Sequence, residues 1–124
     1  MYSKTIIIGN VGKDAEMRFT PSGTAVTSFS VAVNVGYGEN KATAWYRVSA
    51  WGKTAEACNQ YVKKGLRVMV EGELTPDKET GGPRVFTKGD GSSAASFELN
   101  AREVKFLSSK SDVGEVAQRQ DTPF

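Results

Sequence analysis

The sequence predicts a small, mostly β protein with a single helix. Two observations carry that reading. Short runs rich in Val, Ile, Thr and aromatic residues recur along most of the chain, separated by clusters of Gly, Pro, Asn and Asp. Only residues 53–64 change to helical spacing. A length of 124 residues with 39% hydrophobic content supplies one core and leaves no room for a second full domain.

Residues 4–9, which include Ile6, Ile7 and Ile8, read as a buried strand. Asn10-Val11-Gly12-Lys13-Asp14 interrupts it before residues 16–20 resume extended spacing, so the first strand is expected to bend. Pro21-Ser22-Gly23-Thr24 is a turn, because Pro fixes φ and Gly accepts φ > 0. Residues 25–35 follow as a long strand with Phe29, Val31, Val33 and Val35 on one face and Ser28, Ser30 and Asn34 on the other. Residues 36–41 form a hairpin loop and residues 43–51 the next strand.

Within residues 53–64, Ala57, Cys58, Tyr61 and Val62 make an apolar stripe. Thr54 is the expected N-cap, Glu56 suits the positive end, Lys63 and Lys64 the negative end, and Gly65 the stop. A strand over residues 66–74, a turn-rich stretch over 75–83, and strands over 84–87 and 95–107 complete the domain, residues 1–107. Beyond it, Ser, Asp, Glu and Gln replace apolar periodicity, which predicts a short disordered tail over residues 108–124. Three strands, a helix and two further long strands, 66–74 and 95–107, follow the order of the OB-fold, a five-stranded Greek-key β-barrel, favoured here over a sandwich.

Composition narrows the chemistry. The chain has no His, which removes imidazole catalysis and His-containing zinc sites, and a lone Cys58 allows no internal disulfide. No catalytic residue, metal or cofactor is expected. Gly9-Asn10-Val11-Gly12-Lys13-Asp14 has two residues between its glycines where a phosphate loop has four, and Asp14 stands where Ser or Thr is required. Glu71 and Glu73 share a strand face but lack a further ligand, so they read as solvated. The apolar run at Ile6–Ile8 is far shorter than a signal or membrane segment. A soluble, intracellular protein is expected.

The most informative constellation lies on the strand of residues 43–51. Thr43, Trp45, Arg47, Ser49 and Trp51 share one face, while Ala44, Tyr46, Val48 and Ala50 share the other. Two indoles flanking a guanidinium describe a platform for stacked bases and neutralised phosphates. Spacing alone leaves a second reading open, in which both indoles are covered by another subunit or by the long loop. Tyr37, between two glycines in the hairpin, and Phe86 are further stacking candidates. Net charge is only +2, but residues 1–107 hold 14 basic and 11 acidic side chains against 2 and 3 in residues 108–124. Lys4, Lys13, Arg18, Lys41, Arg47, Lys53 and Arg84 are the candidate groove cations.

Several motifs together resemble the bacterial single-stranded DNA-binding protein family. They are Ile6-Ile7-Ile8-Gly9-Asn10-Val11-Gly12-Lys13-Asp14, Arg18-Phe19-Thr20-Pro21-Ser22-Gly23, Trp45-Tyr46-Arg47-Val48, Trp51-Gly52-Lys53, and Tyr61-Val62-Lys63-Lys64-Gly65 with Val70-Glu71-Gly72. The resemblance implies an OB-fold, a homotetramer, and non-enzymatic, sequence-tolerant protection of single-stranded DNA in replication, recombination and repair, in a nucleoid-associated cytoplasmic setting. It also implies base stacking on Tyr37, Trp45, Trp51 and Phe86. Tyr37 and Phe86 stand where the family commonly has Trp, and Tyr46 where it commonly has His. The end, Gln120-Asp121-Thr122-Pro123-Phe124, resembles the family's acidic Pro-Phe tip, which implies recruitment of replication and repair proteins through Asp121, Pro123 and Phe124. Competing classes are an RNA-binding OB-fold, a small metal-dependent nuclease, and an interaction hub working through the tail.

Overall fold

The computed structural model describes residues 2–107. The tail predicted over residues 108–124, with the tip residues Asp121, Pro123 and Phe124, lies outside them. The elements are β1 (Thr5–Val11), β2 (Glu16–Phe19), β3 (Ala25–Val35), a 3-10 turn (Gly38–Asn40), β4 (Ala42–Trp51), α1 (Gly52–Tyr61), β5 (Arg67–Thr75), β6 (Arg84–Thr87) and β7 (Ser93–Phe106).

Five of these strands close into a barrel. Pairing runs β1–β5–β7–β4–β3, and β3 returns to β1 through Asn10↔Ala32 and Val11↔Val31. The β4–β7 pairing is parallel, Tyr46↔Phe97 through Ser49↔Asn100; the other pairings are antiparallel. This is the predicted OB-fold. β2 extends the sheet beyond β3, and β6 adds a short antiparallel flap to β7. Closure depends on close backbone approach at Gly9, where a Cβ would collide with the Ala32 carbonyl oxygen on β3. Gly72 plays the same part beside the irregular register at Glu71/Gly72, against the Asn100 carbonyl oxygen.

The interior follows the period of the strands. Phe29 and Val31 from β3, Val48 and Ala50 from β4, Val68 and Val70 from β5, and Leu99 from β7 form one buried cluster with Ile7 and Val11. Cys58 and Val62 from the helical segment join it. The helix is pinned from below, because the buried Thr27 hydroxyl donates to the Ala55 carbonyl at 2.6 Å.

Five local expectations are corrected. β1 is not buried on both faces: Ile7 is covered, but Ile6 and Ile8 are exposed, as alternation on a half-covered strand requires. Val35 leaves the core because the end of β3 projects into the hairpin beyond the barrel wall. The helix begins and ends earlier than residues 53–64, with Trp51 as its N-cap and no side-chain capping bond, so Thr54 does not cap it. Lys63 and Lys64 therefore fall past the last turn, and the Lys64 N–H instead donates to the Asp14 carboxylate at 2.8 Å. The buried helical positions are Ala55 and Cys58; Tyr61 is exposed and rests its ring against Phe106, 5.7 Å between centroids.

Candidate nucleic-acid interface

Register assembles the site from strands distant in sequence. Partners across a pair of strands point to the same side, so Trp45 lies with Ala32, Arg47 with Ser30 and with Glu98, and Trp51 with Val26. On the far side of β7, Arg84 is opposite Ser96 and Phe86 opposite Ala94. The outward face therefore runs from β3 across β4 and β7 to β6. Along it lies an open groove of about 570 Å³ whose walls include Trp45, Arg47, Phe86, Arg84, Lys13 and Lys88.

The aromatic side chains are open to solvent. Trp45 is 45% exposed, Trp51 46%, Phe86 37% and Tyr37 91%. Within this chain the long loop does not bury the two indoles, which lie on the outward face of the barrel. Trp45 is nevertheless held in place: Gly12, fixed by its N–H bond to the Ser30 carbonyl at 2.9 Å, lies directly beneath the indole. The guanidinium of Arg84 stands 5.4 Å from the centre of the Phe86 ring.

The predicted cations divide by location. Lys13, Arg47 and Arg84 line the groove. Arg18 sits on β2 in register with Val26, in the same cross-strand row as Trp51. Lys41 is exposed beside the 3-10 turn, near the base of the hairpin that carries Tyr37 at its tip. Lys4 and Lys53 are not part of the groove. The Lys4 ammonium is paired with Glu71, whose hydrogen bond and charge raise its pKa above the ordinary value, in a polar depression shared with Glu73 and Arg102. Lys53 borders a small hollow between α1 and the end of β7.

Sequence reasoning missed Lys88 and Gly12. Lys88 stands two residues past Phe86, at the turn where β6 ends, and lines the groove from there. The Gly12 contact has no local signal. The groove also contains the carboxylates Asp14 and Glu16, so its charge is mixed. Among the described residues no cluster of three or more His, Cys, Asp or Glu side chains has metal-holding geometry, and no helix is long and apolar enough to cross a membrane.

The family model of the single-strand binding protein family matches residues 2–107, the whole of the barrel and its flap. The chain belongs to the single-strand binding protein family. Among curated members, Single-stranded DNA-binding protein 1 of Chlorobaculum tepidum is 35% identical, with 79% of this chain and 75% of that protein covered. The single-stranded DNA-binding protein of Wolinella succinogenes is 30% identical over 89% of this chain and 67% of its own length. That of Neisseria meningitidis is 32% identical, over 89% of this chain and 62% of its own. Within the single-strand binding protein family fold, this chain's Tyr46 packs against Phe97 with centroids 5.2 Å apart, near the end of the barrel where β4 and β7 run parallel.

Proposed function

We propose that this protein binds single-stranded DNA without strong sequence preference, stacking bases on Trp45, Trp51, Phe86 and Tyr37 and neutralising phosphates with basic side chains led by Arg47. The observation that carries the reading is the outward face of β4, where two half-exposed indoles flank Arg47. Every base offers a π face, so such a surface tolerates sequence, and each stacked base contributes about 1–3 kcal/mol. Lys13, Arg84 and Lys88 extend the positive lining, with Arg18, Lys41, Lys4 and Lys53 as outlying contacts for a strand that wraps the barrel.

The same reading has the barrel, residues 1–107, as the binding domain and the tip at Asp121, Pro123 and Phe124 as the contact for replication and repair proteins. It has the chain working without catalysis on the nucleoid, as a homotetramer. Exposed Ile6 and Ile8, neighbours on one face of β1, support self-association, because adjoining apolar side chains left open to water gain from cover by a second copy.

Titrating tryptophan fluorescence with a thymine oligomer at two salt concentrations tests the reading, alongside a solution mass for the tetramer. Trp45→Ala and Trp51→Ala are each expected to raise Kd roughly fivefold to a hundredfold with melting little changed. Affinity should fall with salt at a log-log slope of about −0.7 per neutralised phosphate. Unchanged affinity in both variants contradicts the stacking role. Equal affinity for a matched duplex contradicts the single-strand reading, and tighter binding to a matched RNA strand favours the RNA-binding class.

A further inference from the structure

Arg84 is engaged on two sides. Its Nη1 lies 3.6 Å from Oε1 of Glu98, and its guanidinium carbon is 5.4 Å from the centre of the Phe86 ring. Glu98 is also the in-register neighbour of Arg47 across the parallel β4–β7 pair. One carboxylate is thus paired with Arg84 and stands beside Arg47 in strand register, and both of these arginines line the groove. The ion pairs Lys4–Glu71, Arg102–Glu73 and Lys105–Glu103 involve no side chain that lines this groove.

We infer that Glu98 is an internal substitute for a nucleic-acid phosphate, holding Arg84 over Phe86 until an incoming strand displaces it. The inference rests on the single-strand reading above and assigns Glu98 a positioning role within it. Carboxylate and phosphate present a guanidinium with the same kind of paired oxygen acceptors, so a phosphate can take the place of Glu98 and draw Arg84 off the ring. The internal contact is long, at 3.6 Å, and its arginine is half exposed, so it contributes little and yields to a denser anion. While it holds, the arginine occupies a face of Phe86 that a base needs. When a phosphate takes Arg84, Glu98 is left as an unpaired acid and retains a cation from solution. That uptake offsets one of the counterions the strand releases.

The test is a salt titration of a thymine oligomer against the wild type, Glu98→Gln, Arg84→Ala and the double variant, with melting of each to establish folding. Glu98→Gln should bind roughly threefold to tenfold tighter at low salt. Its log-log salt slope should steepen by up to about 0.7, the value of one phosphate on a single strand. Both changes should vanish in the Arg84→Ala background, and Glu98→Asp should keep the wild-type slope. An unchanged slope in Glu98→Gln, or a full effect in the absence of Arg84, overturns the inference while leaving single-strand binding intact. Failure of the wild type to bind the oligomer overturns the functional reading itself. A readout free of substitutions is the Arg84 Nε–H resonance in the wild type: it should shift on saturation with the oligomer together with the Phe86 ring signals, and an unmoved resonance rejects the exchange.

Discussion

A Cβ built on Gly12 would come 2.7 Å from Cζ3 of the Trp45 indole. Gly12 is therefore the seat on which Trp45 rests, and the turn between β1 and β2 fixes the orientation of a ring carried by β4. Gly12→Ala should lift the indole off that seat and cost about 1 kcal/mol of stability, as overpacking does. The expected outcome is a changed Trp45 emission and a roughly threefold to tenfold weaker hold on a thymine oligomer, smaller than the loss in Trp45→Ala. Identical emission and affinity would show the ring has room to spare.

Thr27 joins the barrel to the helix through its bond to the Ala55 carbonyl, and it faces the interior rather than the groove. Thr27→Val keeps the shape and loses the bond, so about 1 kcal/mol of stability should go. Chemical denaturation measures the loss. Affinity for single strands should stay at the wild-type value, which separates this residue from those on the outward face.

Burial pushes the Cys58 thiol up to about 11, from an ordinary 9.0. Its neutral form is the one the fold favours, so its contribution to stability is complete below pH 9.0 and is lost as pH rises through about 11. Thiol reagents at pH 8 should label native protein slowly and unfolded protein at once. Rapid labelling of the folded chain would mean that the helix opens locally.

Asp77 accepts the backbone N–H groups of Glu79 at 2.9 Å and Thr80 at 3.1 Å, and these bonds hold its pKa below the ordinary 3.8. A depressed carboxylate supports structure above the unfolded value and withdraws that support as pH falls through the lower, folded one. The turn before β6 should thus persist at pH 5 and loosen in stronger acid than a free Asp would require. Amide shifts of Glu79 and Thr80 followed down the pH scale would report it.

The parts of this molecule that were legible in the sequence are those set by local period. The ends of β3 and β6 were read to the residue, and the two faces of β4 were separated correctly, because alternation of buried and open positions is written along a strand. The helix ends were misread for a specific reason: Thr54 has the chemistry of a cap, but the chain enters the helix directly from β4 at Trp51. The groove was only half legible. Trp45 and Arg47 lie on one strand and declare their common face; Phe86, Arg84 and Lys88 reach them only through the pairing of β6 with β7 and of β7 with β4. Lys4 and Lys53 lie away from the groove, and charge alone carries no information about which side of a barrel a residue occupies.

β7 is the seam of the fold, because it pairs with β4, β5 and β6 together. A nascent chain emerging from the ribosome remains an open, curled sheet with its interior wet until the last strand is delivered. Long-range pairing of this kind is slow to nucleate. The polypeptide therefore has a window during its own synthesis when it is most exposed to proteases and to sticking, and a premature stop within β7 should discard the whole domain rather than trim it.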